Sequence, residues 1–120
     1  YILALIKKYA SIGADQFQTG LFGSTAYEFM SQGIPVLNYL SLSPEEYEKN
    51  IGVPSPPIIN VKTASEITSS LHKYYTNKEE LNQLGVLVEK YFHEYLGRGA
   101  AKKYQDEIIR LYNQKSQLNN

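Results

Sequence analysis

The segment Asp15–Tyr39, DQFQTGLFGSTAYEFMSQGIPVLNY, constrains the fold of this chain more than any other. It reads as a short strand over Asp15–Thr19, a turn bracketed by Gly20 and Gly23, a helix over 25–32 and a second strand over Pro35–Leu40. Gly33 stops the helix, and Pro35, which lacks an amide hydrogen, prevents its return. Val36 and Leu37 centre an apolar run of the kind that parallel sheets bury on both faces. Strand, turn, helix and strand in that order specify two parallel strands joined by a right-handed crossover. Ser24 and Thr25 stand at the helix start, where backbone N–H groups lack intrahelical partners and suit an anion. Glu28 lies one turn further in.

The chain on either side supports an α/β reading. Ile2, Leu5, Ile6 and Tyr9 recur at helical spacing opposite Lys7 and Lys8, which predicts a helix over 1–11 with Gly13 as its C-cap. Ser43-Pro44-Glu45-Glu46 is a helix start with Ser as N-cap, Pro at the first position and Glu46 closing a capping box. Asn50, Gly52 and Pro54 end that helix, and Ile58–Val61 forms a third strand. Thr63–Glu66 is a second capping box, leading a stripe of Ile67, Leu71 and Tyr74. Asn77 caps a further helix with Leu81, Leu84, Val88, Tyr91 and Tyr95 on one face. Gly97-Arg98-Gly99 interrupts it, a last helix runs from Ala100 to about Asn113, and the polar tail QKSQLNN frays. Three strands are fewer than a sheet commonly has, so further strands are expected upstream in a longer protein, or in a homodimer formed by this fragment through its free sheet edge.

Composition narrows the function classes. Twelve basic and twelve acidic residues cancel, so no overall field favours nucleic acid. There is no cysteine, which removes disulfides and thiolate metal sites and agrees with a cytoplasmic location. No apolar run reaches the roughly 18 residues of a membrane span. His72 and His93 belong to no metal-spaced constellation, so no metal or cofactor is expected; His72 reads as solvated and His93 as partly buried among Tyr91, Phe92 and Tyr95. Most of the eleven tyrosines fall on helical stripes and read as packing residues, and Glu45–Glu48 reads as a solvated face. Asp15, at a strand start, is expected to bond loop backbone.

The run FGSTAYEFMSQGIPVLNY resembles the phrase fGxxxxEAMAxGxPVV of the retaining GT-B glycosyltransferases, the group 1 family, with Asp15, Gly23, Glu28, Met30, Gly33, Pro35 and Val36 in step. The strand IINV, the TASEI helix start and the NKEELNQLG helix look like the descending half of that family's C-terminal domain. The resemblance implies that residues 1–120 are part of a Rossmann-like nucleotide-sugar-binding domain, whose upstream strands and N-terminal acceptor domain belong to a longer parent. It implies transfer of a sugar from a nucleotide-sugar donor to an acceptor in the cleft between the two domains. Carried over by position, Glu28 matches the second acid of the family's E-x7-E motif and would hold the ribose hydroxyls, while Gly23, Ser24 and Thr25 would lie at the diphosphate. Gly20, Leu21 and Phe22 would lie on the donor-sugar side, with Gly20 where the motif's first acid is expected; Gln18 or Thr19 could supply a polar group instead. The Arg/Lys pair that neutralises the diphosphate would lie upstream, and the resemblance leaves room for a peripheral membrane association of the parent.

Three alternatives stand beside this reading. Thr25-x-x-Glu28 is itself a capping-box pattern, in which Glu28 merely bonds the Thr25 amide. A nucleotide-sugar epimerase of the same fold would grip the same donor. A non-catalytic interaction module would explain the glycine at position 20.

Overall fold

A computed structural model describes residues 2–118 as a helix-rich α/β arrangement around a small parallel sheet. The elements in order are α1 (Ile2–Tyr9), β1 (Gly13–Ala14), α2 (Ser24–Met30), β2 (Val36–Asn38), α3 (Pro44–Ile51), β3 (Ile59–Asn60), α4 (Ala64–Thr76), α5 (Lys78–Tyr91), a π-helical turn over Phe92–Leu96, and α6 (Arg98–Leu118). The sheet order is β1-β2-β3, with Gly13 opposite Val36, Ala14 opposite Leu37, Leu37 opposite Ile59 and Asn38 opposite Asn60, all parallel. The three strands are thus joined by α2 and α3, as the alternating pattern predicts.

Alternation along β2 sorts the core into two layers. Val36 is fully buried with Ala26 and Met30 of α2 and Val88 and Tyr91 of α5. Leu37 packs on the other face with Ile59 and Val61, against Ile12, Phe17 and the α4 side chains Ile67 and Tyr74. Burial of each large aliphatic side chain in these layers contributes about 1.5–3 kcal/mol.

Two local readings change in three dimensions. The first strand is not Asp15–Thr19 but Gly13–Ala14, and Gly13 is a buried strand residue rather than a helix C-cap. The reason is a contact distant in sequence: the Phe29 ring lies where a Gly13 Cβ would be, 2.5 Å away, so only glycine lets α2 seat on β1. Pairing fades slowly past Ala14, since Asp15 N–H still donates to the Leu37 carbonyl (3.1 Å) and Tyr39 N–H to that of Gln16 (2.8 Å). At the other end the expected interruption is present but shorter: Gly97, with φ −89° and ψ −120°, is non-helical between the π turn and α6, while Arg98 and Gly99 already belong to α6. α5 widens into the π turn, closed by the Gly97 amide on the Phe92 carbonyl (2.7 Å), and α6 then runs to Leu118 through residues expected to fray.

The helices outside the core bury less than their stripes imply. Every residue from Ala101 to Gln117 is exposed, including Tyr104 and Tyr112, and so are Ile2, Leu5 and Tyr9 of α1 and Leu71 of α4. Tyr75 is exposed too, and His93 is exposed, contrary to the partial burial expected for it. Of the tyrosines among the described residues, Tyr47 and Tyr91 are buried. Among the described residues no helix is long and apolar enough to cross a membrane.

Candidate functional site

The residues singled out by sequence gather at the carboxyl end of β1. Asp15 leaves the sheet there and turns its carboxylate back, so that Oδ2 accepts the Gly23 amide at 2.6 Å. This confirms the structural role expected of Asp15. It also fixes Gly23, whose missing Cβ would lie 2.8 Å from Asp15 Oδ1 and 2.7 Å from Gln16 Nε2.

Gly20 is the tightest point of the turn. Its φ of +72° lies in the left-handed region, and a Cβ would meet Ser41 Oγ at 2.6 Å and Ser41 Cβ at 2.7 Å. The Gly20 carbonyl accepts from the Ser41 amide (3.1 Å) and hydroxyl (3.3 Å). An acidic side chain therefore does not fit at position 20 on this backbone, whatever its chemical merit. Thr19 does not point a free group into the turn either, because its hydroxyl donates to Gln16 Oε1 at 2.7 Å, while Gln18 is exposed. Leu21 is exposed, and Phe22 folds inward against the Tyr27 and Tyr47 rings, with centroids 6.1 and 6.2 Å away.

Beyond Gly23 the geometry decides between the two readings of Glu28. The N-cap of α2 is Gly23, not Thr25, and no side chain caps this helix. Thr25 is the second helical residue, so the Thr25–Glu28 capping box does not form. Among the described residues the Glu28 side chain makes no hydrogen bond, and neither do the Ser24 and Thr25 amides. Ser24, Thr25 and Glu28 are all exposed, and their spacing of three and four residues sets them on one face of α2. The result is an open ledge with two unpaired donors and one carboxylate a turn away.

Two residues that sequence reasoning missed tie the strand ends together, and one of them, Asn38, also holds the turn. Asn38, fully buried at the end of β2, accepts the Gln16 amide at 3.1 Å and donates to the Leu21 (3.3 Å) and Tyr39 (2.9 Å) carbonyls. It thereby joins the β1 exit to the turn. Asn60 pairs both ways with Leu40, its Oδ1 accepting the Leu40 amide (2.9 Å) and its Nδ2 donating to the Leu40 carbonyl (3.0 Å). For Asn38 the available signal was an asparagine within an apolar strand, since a buried amide must be satisfied on both ends.

The deeper hollows lie elsewhere. One of about 750 Å³ runs between Ser11–Ile12 and the α4–α5 pair, walled by Leu71, Tyr74 and Leu81, and one of about 340 Å³ sits between Gly33–Pro35 and α5. Neither includes the turn. The ledge makes one wall of a site and does not enclose it. The described residues contain no cluster of His, Asp or Glu that would hold a metal ion.

No model of a known protein family matches the chain, and no curated protein or solved structure does so either.

Proposed function

We propose that the chain supplies part of the donor-nucleotide site of a glycosyltransferase, with a Rossmann-like sheet of which β1–β3 are one side. The observation that carries this reading is the open start of α2, where the Ser24 and Thr25 amides have no partner and the free Glu28 carboxylate lies one turn further in. A carboxylate has two oxygens and accepts from both hydroxyls of a vicinal diol, which suits a ribose. Free amides at a helix start donate to the oxygens of a diphosphate, and α2 acts here through its individual N–H groups more than through a dipole, being seven residues long. The place agrees with the general rule that parallel sheets bind ligands beyond their carboxyl ends.

In the transfer, the bond between the anomeric carbon and the diphosphate oxygen breaks, the acceptor hydroxyl oxygen forms the new bond to that carbon, and its proton passes to the leaving diphosphate. Charge grows on the leaving diphosphate, and the Ser24 and Thr25 amides stabilise it there. Asp15 and Glu28 bring negative charge to the same region, so cations that balance the diphosphate belong to another part of the protein. The test is calorimetric titration of UDP, GDP and ADP into the protein that carries this chain. One of them binds, and Glu28→Ala weakens it about tenfold or more without lowering the melting temperature. Absence of binding by all three, or binding indifferent to Glu28→Ala, overturns the reading.

Position 20 favours a second reading, a module that holds a nucleotide-sugar without transferring it. The backbone there excludes the acid that would contact the donor sugar. A turnover assay separates the two: released nucleoside diphosphate with glycosylated acceptor supports the transferase, and binding without either product supports the module.

A further inference from the structure

α3 connects β2 to β3 and borders the turn, yet it is fastened to the fold by one side chain. Tyr47 is its single buried residue; Pro44, Glu45, Glu46, Glu48, Lys49, Asn50 and Ile51 are all exposed. The seat of Tyr47 has two walls. One is Phe22, which belongs to the turn itself and meets Tyr47 edge to face. The other is Tyr91 of α5, whose hydroxyl also donates to the Pro54 carbonyl at 2.7 Å just beyond α3. Burial, and then the neighbouring phenol of Tyr47, push the Tyr91 hydroxyl well above the ordinary tyrosine range, so both rings sit in the seat as neutral groups.

The helix is also a self-contained body. Ser43 and Glu46 close a capping box at its start, with bonds of 3.2 and 2.9 Å, and Gly52 ends it at φ +81° with open space around it. Its tethers lie outside the capped segment: the Ser41 amide on the Gly20 carbonyl before it, and Tyr91 on Pro54 after it. Segment 42–53 therefore has two fixed ends, a rigid middle and one aromatic plug. Both the first tether and one wall of the plug's seat are turn residues, Gly20 and Phe22.

We propose that α3 is a flap latched by Tyr47, and that latching and the ordering of the Gly20–Thr25 turn stabilise each other. When Tyr47 is seated, Phe22 is held inward and the Ser24 and Thr25 amides stay where they are. When Tyr47 leaves, Phe22 loses its edge contact and the turn loosens. A ligand that needs the ordered amides binds the latched state better, and by reciprocity its binding holds the flap down. This last step rests on the donor-site reading; the latch itself does not.

Hydrogen exchange on the protein carrying this chain tests both parts. In Tyr47→Ala, without ligand, amides of 44–51 and of the turn at 20–25 exchange about tenfold faster or more, while α4 and α5 keep their rates. Tyr47→Phe, which keeps the ring, restores both segments. If Tyr47→Ala unfolds the protein, Phe22→Leu carries the same expectation with the seat still filled. Turn amides that keep their wild-type rates in the folded variant overturn the latch. With UDP, GDP or ADP bound, exchange over 44–51 slows, and Tyr47→Ala weakens that nucleotide about five- to tenfold without touching it. Nucleotide that binds and leaves 44–51 unchanged overturns the linkage. If none binds, the donor reading falls, and the latch is decided by the exchange rates of the free protein.

Discussion

At the start of α4, Thr63 Oγ1 accepts the Glu66 amide (3.3 Å) while the Glu66 carboxylate takes the amides of Lys62 and Thr63, both at 2.8 Å. At the start of α3, Ser43 and Glu46 do the same, and at α5 Asn77 accepts the Glu80 amide at 3.1 Å. α2 has the same raw material, a hydroxyl residue followed three positions on by a glutamate, and does not use it. The difference is one of register. Asp15 grips the Gly23 amide and makes Gly23 the cap, which moves Thr25 a full two residues into the helix. A helix start left open at the carboxyl end of a parallel sheet forgoes the roughly 1 kcal/mol that a side-chain cap contributes. Three closed starts in the same chain make the open one informative.

The contrast can be broken or sharpened by substitution. The largest effect is expected at Gly20→Ala, which forces a side chain into a left-handed backbone and against Ser41. It lowers stability by roughly 2–4 kcal/mol in urea unfolding. A loss under half a kcal/mol would mean that the turn is soft and the ledge not preformed. Next comes Thr63→Ala, which removes a working cap and costs about 1 kcal/mol by the same measurement. Its counterpart Thr25→Ala stays within about 0.5 kcal/mol, because that hydroxyl caps nothing; equal losses at the two sites would erase the distinction between closed and open starts.

The smallest effect is on acidity. Bonds from the Thr63 and then the Lys62 amide hold the Glu66 carboxyl below the ordinary glutamate range. A group whose value is depressed by folding contributes stability above its unfolded value and loses it as pH falls through the folded one. Amide resonances of Lys62 and Thr63 should therefore titrate together, below the pH at which a free glutamate does. Resonances that move at the ordinary value would show that the box is open in solution.

Much of this was legible in the chain because it is local. Capping boxes at Ser43 and Thr63, the cap at Asn77, the stop at Gly33 and the buried run at Val36–Leu37 each depend on a few neighbours. What escaped depends on residues far apart. Gly13 is a strand residue because Phe29 needs the room, and Glu28 is free because Asp15 reset the helix start. Asn38 reads locally as one polar residue in an apolar strand; two of its three bonds, to Gln16 and Leu21, reach the loop some twenty residues away in sequence. The stripes of α1 and α6 misled in the opposite direction, since periodicity announces an apolar face and does not say what covers it.

α6 has a practical consequence for how the molecule behaves in solution. With all of Ala101–Gln117 exposed, the body measures 65 × 32 × 23 Å, and its radius of gyration is 17.6 Å against about 14 Å for a compact chain of this length. Such a shape diffuses more slowly than a sphere of equal mass and spins faster about its long axis than end over end. On a sizing column a single copy would elute ahead of its mass, and would pass for a dimer unless the mass were read independently by light scattering.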